Sequence, residues 1–149
     1  MPISENDRLT VRKRANYLCE YCHSSERLSP SRFTMEHVTP QSLGGSDSTD
    51  NLALACRRCN ERRYNFIEAR DPQTQQRVPL FNPRKQVWKE HFAWVNEGTV
   101  IQGATVIGRA TCECLDLNDE RYPEEDSIRA TRRLWVQASL HPPHNDLEK

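Results

Sequence analysis

At 149 residues the chain has room for one domain, or for a small domain with an appendage, and its 21 Lys and Arg balance 21 Asp and Glu. Only 36% of its residues are hydrophobic and its mean hydropathy is −0.86, so burial alone offers thin stability. No apolar run reaches the roughly 18 residues of a membrane span, and zero net charge argues mildly against a nucleic-acid partner. The distribution softens that objection: residues 1 to 65 hold ten Lys and Arg against eight Asp and Glu, and the remainder eleven against thirteen.

In chain order, Ser4-Glu-Asn-Asp7 reads as a capping box that opens a helix through about residue 17, with a basic run at Arg12, Lys13 and Arg14. The residues before it carry no hydrophobic signal segment, so the expected location is cytoplasmic. Residues 33–38 have strand character ended by Pro40; Gly44 to Asp50 is turn and loop; Leu52–Ala55 is the return strand, and residues 57–69 read as a helix. Residues 71–83, punctuated by Pro72, Pro79 and Pro83, form a connecting segment. Val87, Trp88, His91, Phe92 and Val95 recur at helical spacing up to Gly98, residues 99–102 are a short strand candidate, and Ile107, Ala110, Cys114 and Leu117 suit another helix. Pro123 opens a last helix to about residue 140. The expected division is a core over 1–70, a linker over 71–83, an α-rich extension packed on the core over 84–140, and a mobile tail over 141–149.

The most specific chemistry lies in two Cys-x-x-Cys pairs, Cys19/Cys22 and Cys56/Cys59. Each pair can present two thiolates to one ion, and four thiolates in tetrahedral array are the usual closed zinc site. Zinc there is a clamp, and its binding free energy becomes folding free energy. Closing the clamp ties residues 22 and 56 together, so the stretch between them becomes a loop held at both ends. His23 could substitute as a ligand, but four cysteines complete the set. Cys112 and Cys114 sit two apart in a predicted helix, point to nearly opposite faces, and read as small filler.

Cys19-Glu-Tyr-Cys22, Met35-Glu36-His37-Val38-Thr39-Pro40, Gly44-Gly45, and Asn51-Leu52 followed by Cys56-Arg-Arg-Cys59-Asn60 together resemble the HNH nucleases, a family with a ββα-metal active site. The resemblance covers about a third of the chain, with Glu36 where Asp is common and Arg63 where Lys often stands. It implies an α+β fold: a zinc-stapled ββα-metal core with an α-rich C-terminal extension. It also implies roles. His37 takes a proton from water, Glu36 and Asn60 hold a divalent ion, Mg²⁺ or Mn²⁺, against the scissile phosphate, and Asn51 orients the site. Carboxylate and amide oxygens suit such hard ions, and an imidazole can act as base near neutral pH.

The expected activity is metal-dependent hydrolysis of DNA phosphodiester bonds, leaving 5′-phosphate and 3′-hydroxyl ends as the resemblance implies. Arg57, Arg58, Arg62 and Arg63, flanking Asn60, are candidate phosphate contacts, although such a cluster is also what a solvated helix face looks like. The rival readings are a non-catalytic zinc module that binds DNA through these arginines and, more distantly, a zinc-stapled protein-interaction domain. His91 falls on an apolar stripe and reads as packing, while His141 and His144 belong to the tail.

Overall fold

Ser4 takes an extended backbone and its hydroxyl accepts from the Asp7 N–H at 3.1 Å, which opens α1, Glu5–Arg14. In this computed structural model, which describes residues 2–148, the chain divides into two units. The first comprises residues up to Ile67 together with Asn82–Gln86; the second comprises Glu68–Phe81 and everything from Val87 onward. No helix among the described residues is long and apolar enough to cross a membrane.

In the first unit, β1 (Thr34–His37) pairs antiparallel with β2 (Leu52–Ala55), Glu36 opposite Ala53 and His37 opposite Leu52. All four β2 residues are buried, and α1 packs on β2, with Val11 buried and Arg14 donating to the Leu52 carbonyl at 2.7 Å. The helix α2, Arg57–Arg63, follows at once. It stops six residues before the sequence led us to expect, because Tyr64 turns to φ 48°, ψ −125° and residues Glu68–Arg70 pair as a strand instead. Segment 82–86 belongs to this unit: Arg84 donates to the Glu20 carboxylate, which also accepts from the Leu54 N–H at 2.8 Å.

The second unit begins with the antiparallel pair β3 (Glu68–Arg70) and β4 (Arg77–Pro79); β3 stands where the end of the expected core helix was placed, and β4 within the expected linker. Asp71 starts the turn between them, accepting from Gln73 N, Thr74 N and the Thr74 hydroxyl. The expected helix over 84–97 shrinks to α3, Trp88–His91, and the chain then runs as β5, Phe92–Val95, against β6, Val100–Gly103. From Phe92 the period is that of a strand. Phe92 is buried and Ala93 exposed, as on a strand, and Asn96, Glu97 and Gly98 all take positive φ (51°, 58° and 84°), the backbone of a tight hairpin turn. Then come α4 (Val106–Leu115), capped by Thr105, and α5 (Ile128–Gln137), preceded by one 3₁₀ turn at Glu124–Asp126. The expected mobile tail is anchored instead. His141 is buried with its ring against Trp94 and Trp135, and α6 (His144–Leu147) carries Asp146, which accepts from the Trp94 indole N–H at 2.9 Å.

Candidate active site

The two cysteine pairs meet. Their four Sγ atoms lie within 4.8 Å of one another, all buried. The first pair sits in the turn after α1, closed by the His23 N–H donating to the Cys19 carbonyl at 2.9 Å with His23 at φ 57°. The second is built by α2: Cys56 is its N-cap, its sulfur accepting from the Cys59 N–H at 3.4 Å. Burial pushes the Cys19 thiol well up, whereas hydrogen bonds from Cys19, Cys56 and Cys59 hold Cys22 well down. Thiols so close in an interior cannot all ionise beside one another unless a cation neutralises them. The donor set, its spacing and its enclosure therefore fit a structural zinc. Cys112 and Cys114 join no such cluster, and burial pushes the Cys112 thiol up to about 12, leaving it an inert packing group.

Strand alternation separates Glu36 from His37. Successive side chains on β1 leave opposite faces, so Glu36 points inward and is 5% exposed while the His37 side chain keeps 20% of its surface. Glu36 is ion-paired with Arg63, itself 3% exposed, and Arg63 also donates to the carbonyls of His37, at 2.9 Å, and Val38. Burial pushes the Glu36 carboxyl up to about 7, against the opposing pull of Arg63 and Tyr21. The structure thus does not bring Glu36 to the His37 side of the strand. It also corrects the reading of Arg63, which is no phosphate-facing residue but a buried tie between the end of α2 and the end of β1.

The loop from β1 to β2 is held by Asn51. Its Oδ1 accepts from the Thr39 N–H at 2.8 Å, and its Nδ2 donates to the Thr39 carbonyl at 3.0 Å and to the Ser46 carbonyl at 2.8 Å. A carboxamide has the donor and acceptor of a peptide group, so Asn51 pairs Thr39 as a further strand residue would. The loop crosses so close to Thr39 that a Cβ at Gly45 would lie 1.7 Å from its carbonyl oxygen, which is why that position needs glycine. This path delivers Asp47, whose Oδ1 lies 2.7 Å from His37 Nε2 and accepts from Gln41 Nε2 at 3.1 Å. The hydrogen bond with His37, then that with Gln41, holds the Asp47 carboxyl below its ordinary range. Sequence reasoning missed Asp47. It lies in a polar turn with nothing local to mark it, and only loop closure brings it to His37.

Asn60 lies half-buried on α2. Its amide oxygen suits a hard cation as Glu36 does, but the Glu36 carboxylate already carries the Arg63 guanidinium, so the expected Glu36 and Asn60 pair does not fit a divalent ion in this arrangement. The rest of the arginine cluster divides. Arg57 is exposed and bonded to Glu61 at 2.9 Å, Arg62 is half-buried, and Arg58 is half-buried near enough to Cys22 to help hold its thiol down.

Residues 19–66 match the family model for HNH endonuclease, and the cysteine clasp, the β1/β2 hairpin, its loop and α2 all lie within the matched stretch. That match covers about a third of the chain and stops short of Glu68, the first residue of the second unit. No curated protein and no solved structure matches the chain.

Proposed function

We propose that this HNH domain is a metal-dependent endonuclease that hydrolyses DNA phosphodiester bonds, with His37 as general base. One observation carries the assignment of the base: His37 is the part-exposed imidazole on the hairpin, and its ring meets a carboxylate, Asp47, at 2.7 Å. A histidine serving only as packing has no use for an ionised partner at the rim. Attack by water on phosphorus forms the new P–O bond, breaks the bond to the 3′ oxygen and releases a proton, and His37 receives that proton. Asn51 acts indirectly, by fixing the loop. A divalent ion, Mg²⁺ or Mn²⁺, would supply charge neutralisation at the phosphate. In this reading the Asn60 amide oxygen would be its protein ligand, and Glu36 could join it only by giving up Arg63.

The occupied Glu36 favours one rival, a non-catalytic zinc module that binds DNA. Purified protein incubated with supercoiled plasmid, with and without Mg²⁺ or Mn²⁺, separates the two. The expected result is nicked or linear product with the ion, and about a 10²-fold or greater fall in rate for His37→Ala with DNA affinity kept. Binding without cleavage by the parent, or equal cleavage by His37→Ala, would hand the function to the rival or remove His37 from the chemistry.

A further inference from the structure

We infer that Asp47 is a positioning residue that sets which nitrogen of His37 acts. An ionised carboxylate is acceptor-only, so across the 2.7 Å contact the hydrogen must belong to His37 Nε2. The Asp47 carboxyl is held ionised there by that same bond and by Gln41. A neutral imidazole with its hydrogen on Nε2 keeps its lone pair on Nδ1, and Nδ1 is therefore the atom that takes the proton.

The loop is built to hold this arrangement. Asn51 Nδ2 fixes the Ser46 carbonyl, the peptide unit immediately before Asp47, and Gln41 from the other side of the loop fixes the carboxylate itself. Arg63, by binding the His37 carbonyl, fixes the backbone that carries the ring. Ring and carboxylate are thus anchored independently, one to the strand and α2, the other to the loop, and the hydrogen bond between them fixes ring rotation as well as tautomer. This resembles the way a buried carboxylate orients the histidine of a hydrolase triad, though here the carboxylate is 41% exposed. It acts through geometry more than through a desolvated charge.

The inference rests on His37 being the base, but its first test does not. Zinc-loaded protein labelled with ¹⁵N in its histidine rings, in mildly alkaline buffer without DNA, should show Nε2 protonated and Nδ1 unprotonated for His37. Asp47→Ala should mix the two tautomers while zinc content and the amide protection of β1 and β2 stay as in the parent. In plasmid cleavage Asp47→Ala should lower kcat by about 10- to 100-fold, taking as a guide the loss of carboxylate partners that orient metal-ligating histidines, with KM unchanged. A parent ring protonated on Nδ1, or an Asp47→Ala protein with parental tautomer and kcat, would overturn the inference. If the parent cleaves nothing, the nuclease reading fails by itself and the parent spectrum still decides what Asp47 does to His37.

Discussion

Both units use an asparagine side chain to finish a strand, and they surround it in opposite ways. In the first, Asn51 pairs the N–H and carbonyl of Thr39 at the open end of the hairpin. In the second, Asn118 pairs the N–H and carbonyl of Ile101 at 2.7 and 2.9 Å deep in the interior, and its oxygen also accepts from the fully buried Arg132. The first device leaves a loop of polar residues at the surface, where Asp47 can meet His37. The second closes a core. An HNH domain of short elements (strands of four residues, a helix of seven) gathers its cysteines to one point, while the second unit relies on aromatic packing of Phe81, Trp88 and Phe92 and on internal charge. Asp71 there accepts both Nε and Nη2 of Arg109 at 2.9 Å, which holds its carboxyl well below the usual range.

The largest effect should come from opening the clasp. Structural zinc contributes roughly 10–16 kcal/mol in small zinc modules, as much as the whole stability of about 5–15 kcal/mol of a typical domain. Stripping the metal with a strong chelator, or Cys56→Ser, should therefore abolish amide protection across β1, β2 and α2 while β6, α4 and α5 keep theirs. Elemental analysis and hydrogen exchange check both halves of the statement. A protein without zinc, or a Cys56→Ser variant with parental protection in the hairpin, would show that sulfur packing alone holds the first unit.

The converse experiment is smaller and targets Arg132. Its guanidinium donates to the Leu117 carbonyl at 2.7 Å, the Thr99 carbonyl at 3.0 Å and Asn118 Oδ1 at 2.9 Å. Arg132→Met keeps much of the volume but strips these acceptors of a charged donor inside the core, at about 1–3 kcal/mol for each one left unsatisfied. The second unit should lose several kcal/mol by denaturant unfolding, with zinc content and cleavage rate unchanged. Equal stability would mean that the three acceptors recruit water, and that the contrast between a metal-held and a charge-held unit is weaker than the geometry implies.

What the sequence made legible follows the same division. Cysteine spacing, the capping box at Ser4 and the β2 residues are local signals, and the structure keeps all three. Arg63 was legible and misread: Cys56, Cys59 and Arg63 fall three and four residues apart, on one helix face, so a residue sharing the face of two buried cysteines had to be buried too. The Asp47 contact with His37 could not be read, because nine residues intervene and their path depends on Asn51 and on the space left at Gly45. The β5/β6 hairpin was obscured by apolar residues at 87, 88, 92 and 95, a spacing that suits a helix as well as it suits a short helix followed by a strand.

The smallest effect separates a surface charge with a task from one without. Of the four arginines beside Asn60, Arg63 is buried and Arg58 lies against the clasp, leaving the exposed Arg57 and the half-buried Arg62 as candidate phosphate contacts. Arg57 is ion-paired with Glu61, but both side chains are largely exposed, 80% and 62%, and an exposed pair of this kind is worth well under about 1 kcal/mol. A phosphate can therefore take the guanidinium from Glu61 at little cost. Each phosphate contact removed should flatten the dependence of log K on log salt by roughly 0.9. Replacing Arg57 and Arg62 together by Ala should then lower the slope by about 1 to 2, weaken binding alike for unrelated DNA sequences, and leave zinc content untouched. Arg133 in the second unit is the matched control, since it too is half-exposed and paired, with Glu124 at 2.6 Å. Arg133→Ala should leave both slope and affinity as they are. Equal slopes for the two variants and the parent would mean that the charge on α2 is solvated surface, as it is on α5, and that DNA approaches His37 from some other side.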